Sequence, residues 1–264
     1  MMMSRYLKLY TAFLKINLKR ELQYRAHFFL DNLITIIWSC LLVLYYIFIY
    51  RYTAAVRGWR LEQVLVLTGF YLVFNSIFKS LIEQNFAQFT RIIYRGELDY
   101  ILVKPVNSQF LISLSRFSLR SFLRLFGGLA ILIWGIVAAK LKISVLIIFL
   151  SLGMFAIGQI IVYSLWFMSL LLAFRLGNIE NLYYFFMSIF QTTRLPINLY
   201  PHIGELIFTF VLPLIFVATI PAQALWQPIS GLIIIYGIVV AVVLLWLSHY
   251  LWQLALRSYT SASS

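Results

Sequence analysis

Residues 143–174 read ISVLIIFLSLGMFAIGQIIVYSLWFMSLLLAF, 32 consecutive positions without a charge. At about 1.5 Å per helical residue, roughly 20 residues cross a hydrocarbon layer about 30 Å thick. Such a run has lipid as its solvent. The whole chain agrees: of 264 residues 63% are hydrophobic and only 11% charged, against about half and about a quarter in a soluble domain. An aromatic share of 18% excludes a disordered chain, and Cys40 as the single thiol excludes a disulfide scaffold.

Working outward, Lys140 and Lys142 mark a tight turn before this run and Arg175 closes it, giving a span at about 143–172. Upstream, 119–139 is a span whose Arg120 and Arg124, one turn apart, are expected to reach headgroups with their stems. Residues 61–82 form another, flanked by Glu62 and Lys79. The first span, about 28–50, leaves through the aromatic belt of Tyr45, Tyr46, Tyr50 and Tyr52. Residues 1–26 place Leu7, Tyr10, Phe13, Leu14 and Leu18 on one helical face among basic residues, the pattern of an amphipathic helix lying on the membrane.

Downstream, 229–252 is a span, and 179–195 is expected to cross as well. Between them, 200–224 is punctuated by Pro201, Pro213 and Pro221 and is expected to dip in and return, since broken backbone at membrane depth survives where protein covers it. The fold expected is therefore all-α, a single polytopic membrane domain with six transmembrane helices, an N-terminal interfacial helix and a re-entrant segment before the last span.

Charge orients it. With six crossings and the N-terminus inside, 15 of the 21 Lys and Arg residues fall on the cytoplasmic side and 6 outside: Arg51, Arg57, Arg60, Lys140, Lys142 and Arg194. That bias follows the positive-inside rule and puts both termini in the cytoplasm. The basic residues punctuate apolar segments and do not form one stripe, so the net +13 reads as membrane topology and not as a nucleic-acid footprint.

Enzyme and pump signatures are missing from the sequence. The nearest match to a phosphate loop, Gly153 to Gly158, continues with Gln159 and Ile160 in place of Lys and a hydroxyl. No H-E-x-x-H or G-x-S-x-G occurs, and His27, His202 and His249 lie far apart, so neither a metal site nor a catalytic group is expected. Asp31, Glu62, Glu83, Glu180 and Glu205 fall at predicted span ends, leaving no mid-membrane acid for coupling to an ion gradient. Energy for any transport then enters from another polypeptide. No G-x-x-x-G motif advertises close helix pairing. Polar residues within spans, Asn75, Ser76, Gln159, Ser164, Ser169 and Gln191, either line a pathway or bond between helices. A channel or a membrane-embedded assembly or lipid-modifying protein acting without an ATPase are the alternatives to a driven permease.

The longest stretch without a spanning run is 83–116. Within it residues 86–110 read FAQFTRIIYRGELDYILVKPVNSQF: a helix-like piece, a break at Gly96, and a second apolar-basic piece ended by Pro105. A short helix there either levers on a soluble partner or rests on headgroups. The run RGELDYILVKPV at 95–106 resembles the Gly-x-Leu-Asp-x-x-Leu-x-[Arg or Lys]-Pro pattern of the membrane subunits of type-2 ATP-binding-cassette exporters. The prolines before the last span, at 201, 213 and 221, fit the same family. The resemblance implies a bacterial plasma-membrane permease that pairs with a second copy or paralogue and with separate ATPase subunits, which hold the ATP and magnesium. It also implies a coupling helix within 86–104 with Arg91, Arg95, Glu97, Asp99 and Lys104 as ATPase contacts. Gly96 and Pro105 would shape that turn, a smaller contact would lie at 173–181, and 200–224 would sit near an outer gate.

Overall fold

The computed structural model of the chain describes residues 2–22, 25–141, 143–176, 180–257 and 259. Among them there is no strand. Helix α1 (Met2–Leu22) precedes α2 (Arg25–Tyr50) and α3 (Leu61–Phe78). Short helices α4 (Gln84–Ala87), α5 (Phe89–Tyr94), α6 (Leu98–Leu102) and α7 (Ser108–Leu114) lead to α8 (Leu119–Ala138) and α9 (Val145–Leu170). Then come α10 (Ala173–Leu176), α11 (Glu180–Gln191), α12 (His202–Leu206), α13 (Thr219–Gln223) and α14 (Gly231–Arg257).

Among the described residues, five stretches are long and apolar enough to cross a membrane: Phe29–Tyr50, Leu61–Ile93, Leu119–Ala138, Val145–Leu170 and Gly231–Arg257. Their outer faces are apolar; Trp38 is 68% exposed and Trp246 64%. Water does not tolerate such faces, and the protein is a multi-pass membrane protein. The second stretch outruns the expected 61–82 because α3 passes through a π turn at Lys79–Glu83 into α4 without ending.

Lipid offers no hydrophobic drive for helix pairing, so close fit must supply it. Helices α3 and α8 supply it antiparallel. A Cβ on Gly69 would lie 2.5 Å from the Leu132 backbone, one on Gly128 2.9 Å from Val73 N, and one on Gly135 2.8 Å from Val66 N. The two α8 glycines that make this contact, Gly128 and Gly135, are seven apart and not four, a spacing that keeps one helical face just as well.

Helices α9 and α14 run parallel, with the Pro-rich segment wedged between them. Phe216, Val217 and Ala218 are fully buried, the Phe216 backbone lies against Gly158, and its ring lies 2.7 Å from where a Cβ of Gly237 would be. The Ser151 hydroxyl on α9 donates to the Pro221 carbonyl at 2.7 Å. Pro213 and Pro221 are buried and Pro201 is exposed.

The bundle has two poles. At the second pole lie the turn at 51–60, the α8–α9 turn and the ends of the Pro-rich segment. There Arg57 (φ 46) and Gly58 (φ 86) make a tight two-residue turn closed by Val56 and Trp59. Trp59 Nε1 donates to Asn198 Oδ1 at 2.9 Å, and its ring meets Trp226 edge-on at 5.2 Å. Both ends of the Pro-rich segment therefore meet one residue. The first pole gathers α1, α4–α7 and the ends of α9 and α14 around Phe86, Phe89, Phe167 and Trp252. Helix α11 is shorter than the five long helices and continues as a 3-10 turn at Thr192–Arg194. Residues 177–179 and Lys142 lie outside the described residues, as do parts of the expected contact at 173–181 and of the expected span at 179–195.

Candidate functional site

The first pole is built on α5 and α6. Helix α5 stops because Gly96 takes φ +66, where its amide donates to Ile93 O at 3.1 Å and the Glu97 amide donates to Ile92 O at 3.0 Å. These two bonds form the left-handed glycine cap that satisfies the last carbonyls of a helix. Leu98 and Phe89 are fully buried and anchor the two helices. Pro105 follows α6 and prevents its continuation. Asn107 then caps α7, its Oδ1 accepting from Phe110 N at 3.0 Å.

The seven sequence-predicted residues of this pole divide into four exposed and three half-buried. Arg91, Arg95, Lys104 and Pro105 are exposed, as are the apolar Tyr100 (74%) and Val103 (81%). Gly96 lies half-buried in the turn between them. Glu97 and Asp99 are half-buried and turned toward the protein. Burial pushes the Arg116 guanidinium below its usual value; Arg20 and Arg91 add to that push and Glu97 opposes it. Burial, with the Asp99 carboxylate beside it, pushes the Tyr259 hydroxyl up. The outward chemistry is thus cationic and apolar, while inside the pole Glu97 offsets the charge of Arg116 and Asp99 faces the Tyr259 hydroxyl.

Two buried amides tie this pole to the long helices, and sequence reasoning passed over both. Asn85 (3% exposed) donates to Leu81 O and Arg116 O, each at 2.9 Å, and accepts from Arg116 N at 2.8 Å and the Ser115 hydroxyl at 3.1 Å. Asn17 on α1 donates to Ser115 O at 3.0 Å and accepts from Arg20 at 3.0 Å. Ser80 and Ser118 exchange a further pair, at 2.9 and 3.0 Å. An unbroken set of hydrogen bonds therefore runs from α1 through residues 115–118 to the π turn at the end of α3. The only advance signal was at Asn17, an amide between Ile16 and Leu18 that in a buried setting demands partners; Asn85, between Gln84 and Phe86, gave none.

Arg120 departs from its expected headgroup role. Its Nη1 meets Asp31 at 2.6 Å, its Nε lies 3.9 Å from Glu21, and its backbone amide donates to Glu21 at 3.1 Å, joining α1, α2 and α8. Arg194, counted as an outside charge at the end of the expected span 179–195, sits on the 3-10 turn against α3. Its Nε donates to the Tyr71 hydroxyl at 3.1 Å. Of the in-span polar residues, Ser76, Ser164 and Ser169 bond their own helices. Asn75 lines a cavity beside Arg194.

Residues 36–263 match a family model described as ABC-2 family transporter protein. No curated protein and no solved structure matches the chain.

Proposed function

Because the chain belongs to the ABC-2 family of transporter proteins, we propose that it is the permease subunit of an ATP-driven exporter, pairing with a second permease copy or paralogue. ATP and magnesium bind separate ATPase subunits, and this chain holds no catalytic residue. The first pole is cytoplasmic, with both termini, in the bacterial plasma membrane. The excess of Lys and Arg at that pole supports this orientation.

The sixth crossing is 179–195, a reading supported by its two flanks: Phe174 meets Phe89 edge-on at the first pole, and Tyr200 O accepts from Arg57 at the second. The segment 200–224 is re-entrant, a reading supported by the return of Trp226 to the same Trp59 that holds Asn198.

The observation that carries the functional reading is the surface of Arg91, Arg95, Tyr100, Val103 and Lys104, raised on helices set between the end of α3 and residues 115–118, which Ser80 and Asn85 tie to each other. A soluble partner gripping this surface moves α3, and α3 carries α8 through the glycine contact. Glu97 and Asp99 set the local charge, and α1 moves with the pole through Asn17. ATP-driven closure of two ATPases thereby becomes a change of helix packing at the pair's interface, with the Pro-rich wedge near the outer gate.

The test is purification in mild detergent followed by ATPase measurement. An ATP-hydrolysing subunit should accompany the chain, and joint Arg91→Glu and Arg95→Glu substitution should abolish the permease's stimulation of its activity. Stimulation unchanged in that variant removes the assignment.

A further inference from the structure

Below the second pole, a cavity of about 380 Å³ opens between α2, α3 and Arg194. Tyr71, which holds Arg194, lies ten residues into α3 from Leu61, about 15 Å along the axis and so well within the bilayer. A cation at such depth is costly unless something answers its charge, which makes it a functional-site candidate.

Within the chain the answer is incomplete. The guanidinium carbon sits 5.7 Å over the Tyr71 ring and Nε donates to the Tyr71 hydroxyl. The Tyr46 hydroxyl donates to the Arg194 carbonyl at 3.1 Å and fixes the backbone. Among the described residues, neither terminal guanidinium nitrogen has a hydrogen-bond or carboxylate partner. No Asp or Glu lines the cavity. The Asn75 side chain, facing the same space, has no hydrogen-bond partner among the described residues either. By contrast the hydroxyls of Thr35 and Ser39 are already given to carbonyls of α2. Two unspent donors, one of them charged, thus face a space otherwise walled by Trp38, Leu41, Leu42 and Leu72. It opens on the exposed face of α2, where Trp38 and Tyr45 are 68% and 57% exposed.

We propose that this cavity receives the anionic group of an amphiphile, a phosphate or carboxylate oxygen accepting from the Arg194 guanidinium and the Asn75 amide while the apolar body lies along Trp38, Leu41 and Leu42. The planar fork of an arginine suits such oxygens in pairs. The proposal rests on the permease reading for its consequence, that the exported substrate is an anionic amphiphile, but its binding test does not need the ATPase.

The full chain, purified in an uncharged maltoside detergent, is titrated with dodecyl phosphate while its melting is followed by tryptophan fluorescence. Dodecanol and inorganic phosphate form separate arms. A saturable rise in melting temperature is expected with dodecyl phosphate and neither control. Arg194→Gln should weaken the apparent affinity at least about tenfold, with partial recovery in Arg194→Lys. Should Arg194→Gln not fold, Asn75→Leu decides, since Asn75 has no bond within the described residues to lose; it should weaken binding several-fold. Equal binding by dodecanol, or undiminished binding by the variants, overturns the anion site. Inorganic phosphate binding as tightly as dodecyl phosphate overturns the amphiphile. Dodecyl phosphate binding by a chain with which no ATPase co-purifies in the mild-detergent experiment keeps the site and defeats the permease reading instead.

Discussion

Replacing Asn85 by Ala removes three hydrogen bonds between the end of α3 and residues 115–116: those to Arg116 O, from Arg116 N and from the Ser115 hydroxyl. At a net value of about 1 kcal/mol each, the loss is about 3 kcal/mol, or about two decades in the local opening equilibrium. The Arg116 amide, which donates to Asn85 Oδ1 at 2.8 Å, reports it directly. In hydrogen exchange on the detergent-solubilised protein, its protection should fall by about two decades. The Ser118 amide donates to Ser80 O and should keep its protection, which makes it the internal control. Asn85→Asp keeps both acceptor bonds and should lie between the two. Unchanged exchange at Arg116 in Asn85→Ala would refute the idea that this amide clamps the pole to α3. A fall at Arg116 and Ser118 together would mean global loosening and refute the local account.

Gly69→Ala drives a methyl to 2.5 Å from the Leu132 backbone and should cost about 1–3 kcal/mol, read as a lower melting temperature. Gly127→Ala, with nothing within 4 Å, should not lower it. Gly96→Ala forces a side chain into φ +66 at a cost of about 1 kcal/mol and should reduce ATPase stimulation in the reconstituted complex. Trp59→Ala removes the shared hold on Asn198 and Trp226, so limited proteolysis should open sites on both flanks of the Pro-rich segment together.

Much of the architecture was legible because lipid imposes a coarse rule: long apolar runs become helices, and five of them did so here. The break at Gly96 was equally readable, since a glycine between a helical run and a basic-apolar run invites a left-handed cap. What escaped the sequence depended on contacts between distant segments. Asn85 meets Arg116, 31 positions away, and Arg120 meets Asp31, 89 away; neither partner is signalled by local pattern. Arg194 counted as an outside charge at the end of an expected span, and its bond to Tyr71, 123 positions away, is likewise signalled by no local pattern. Asp99 belongs to the family pattern and Glu97 fills its free position, yet their half-buried placement beside Tyr259 and Arg116 follows from how Tyr259 and the loop at 115–118 pack.

The central claim, a passive gate driven through its cytoplasmic pole, is tested most directly at Val103, 81% exposed between Tyr100 and Lys104. A Val103→Cys substitution in a Cys40→Ser chain is probed with a membrane-impermeant maleimide in intact cells, in permeabilised cells, and in membranes co-expressing the ATPase. Labelling only after permeabilisation, and its suppression by the ATPase, is the predicted result. Labelling of Val103→Cys in intact cells would contradict it.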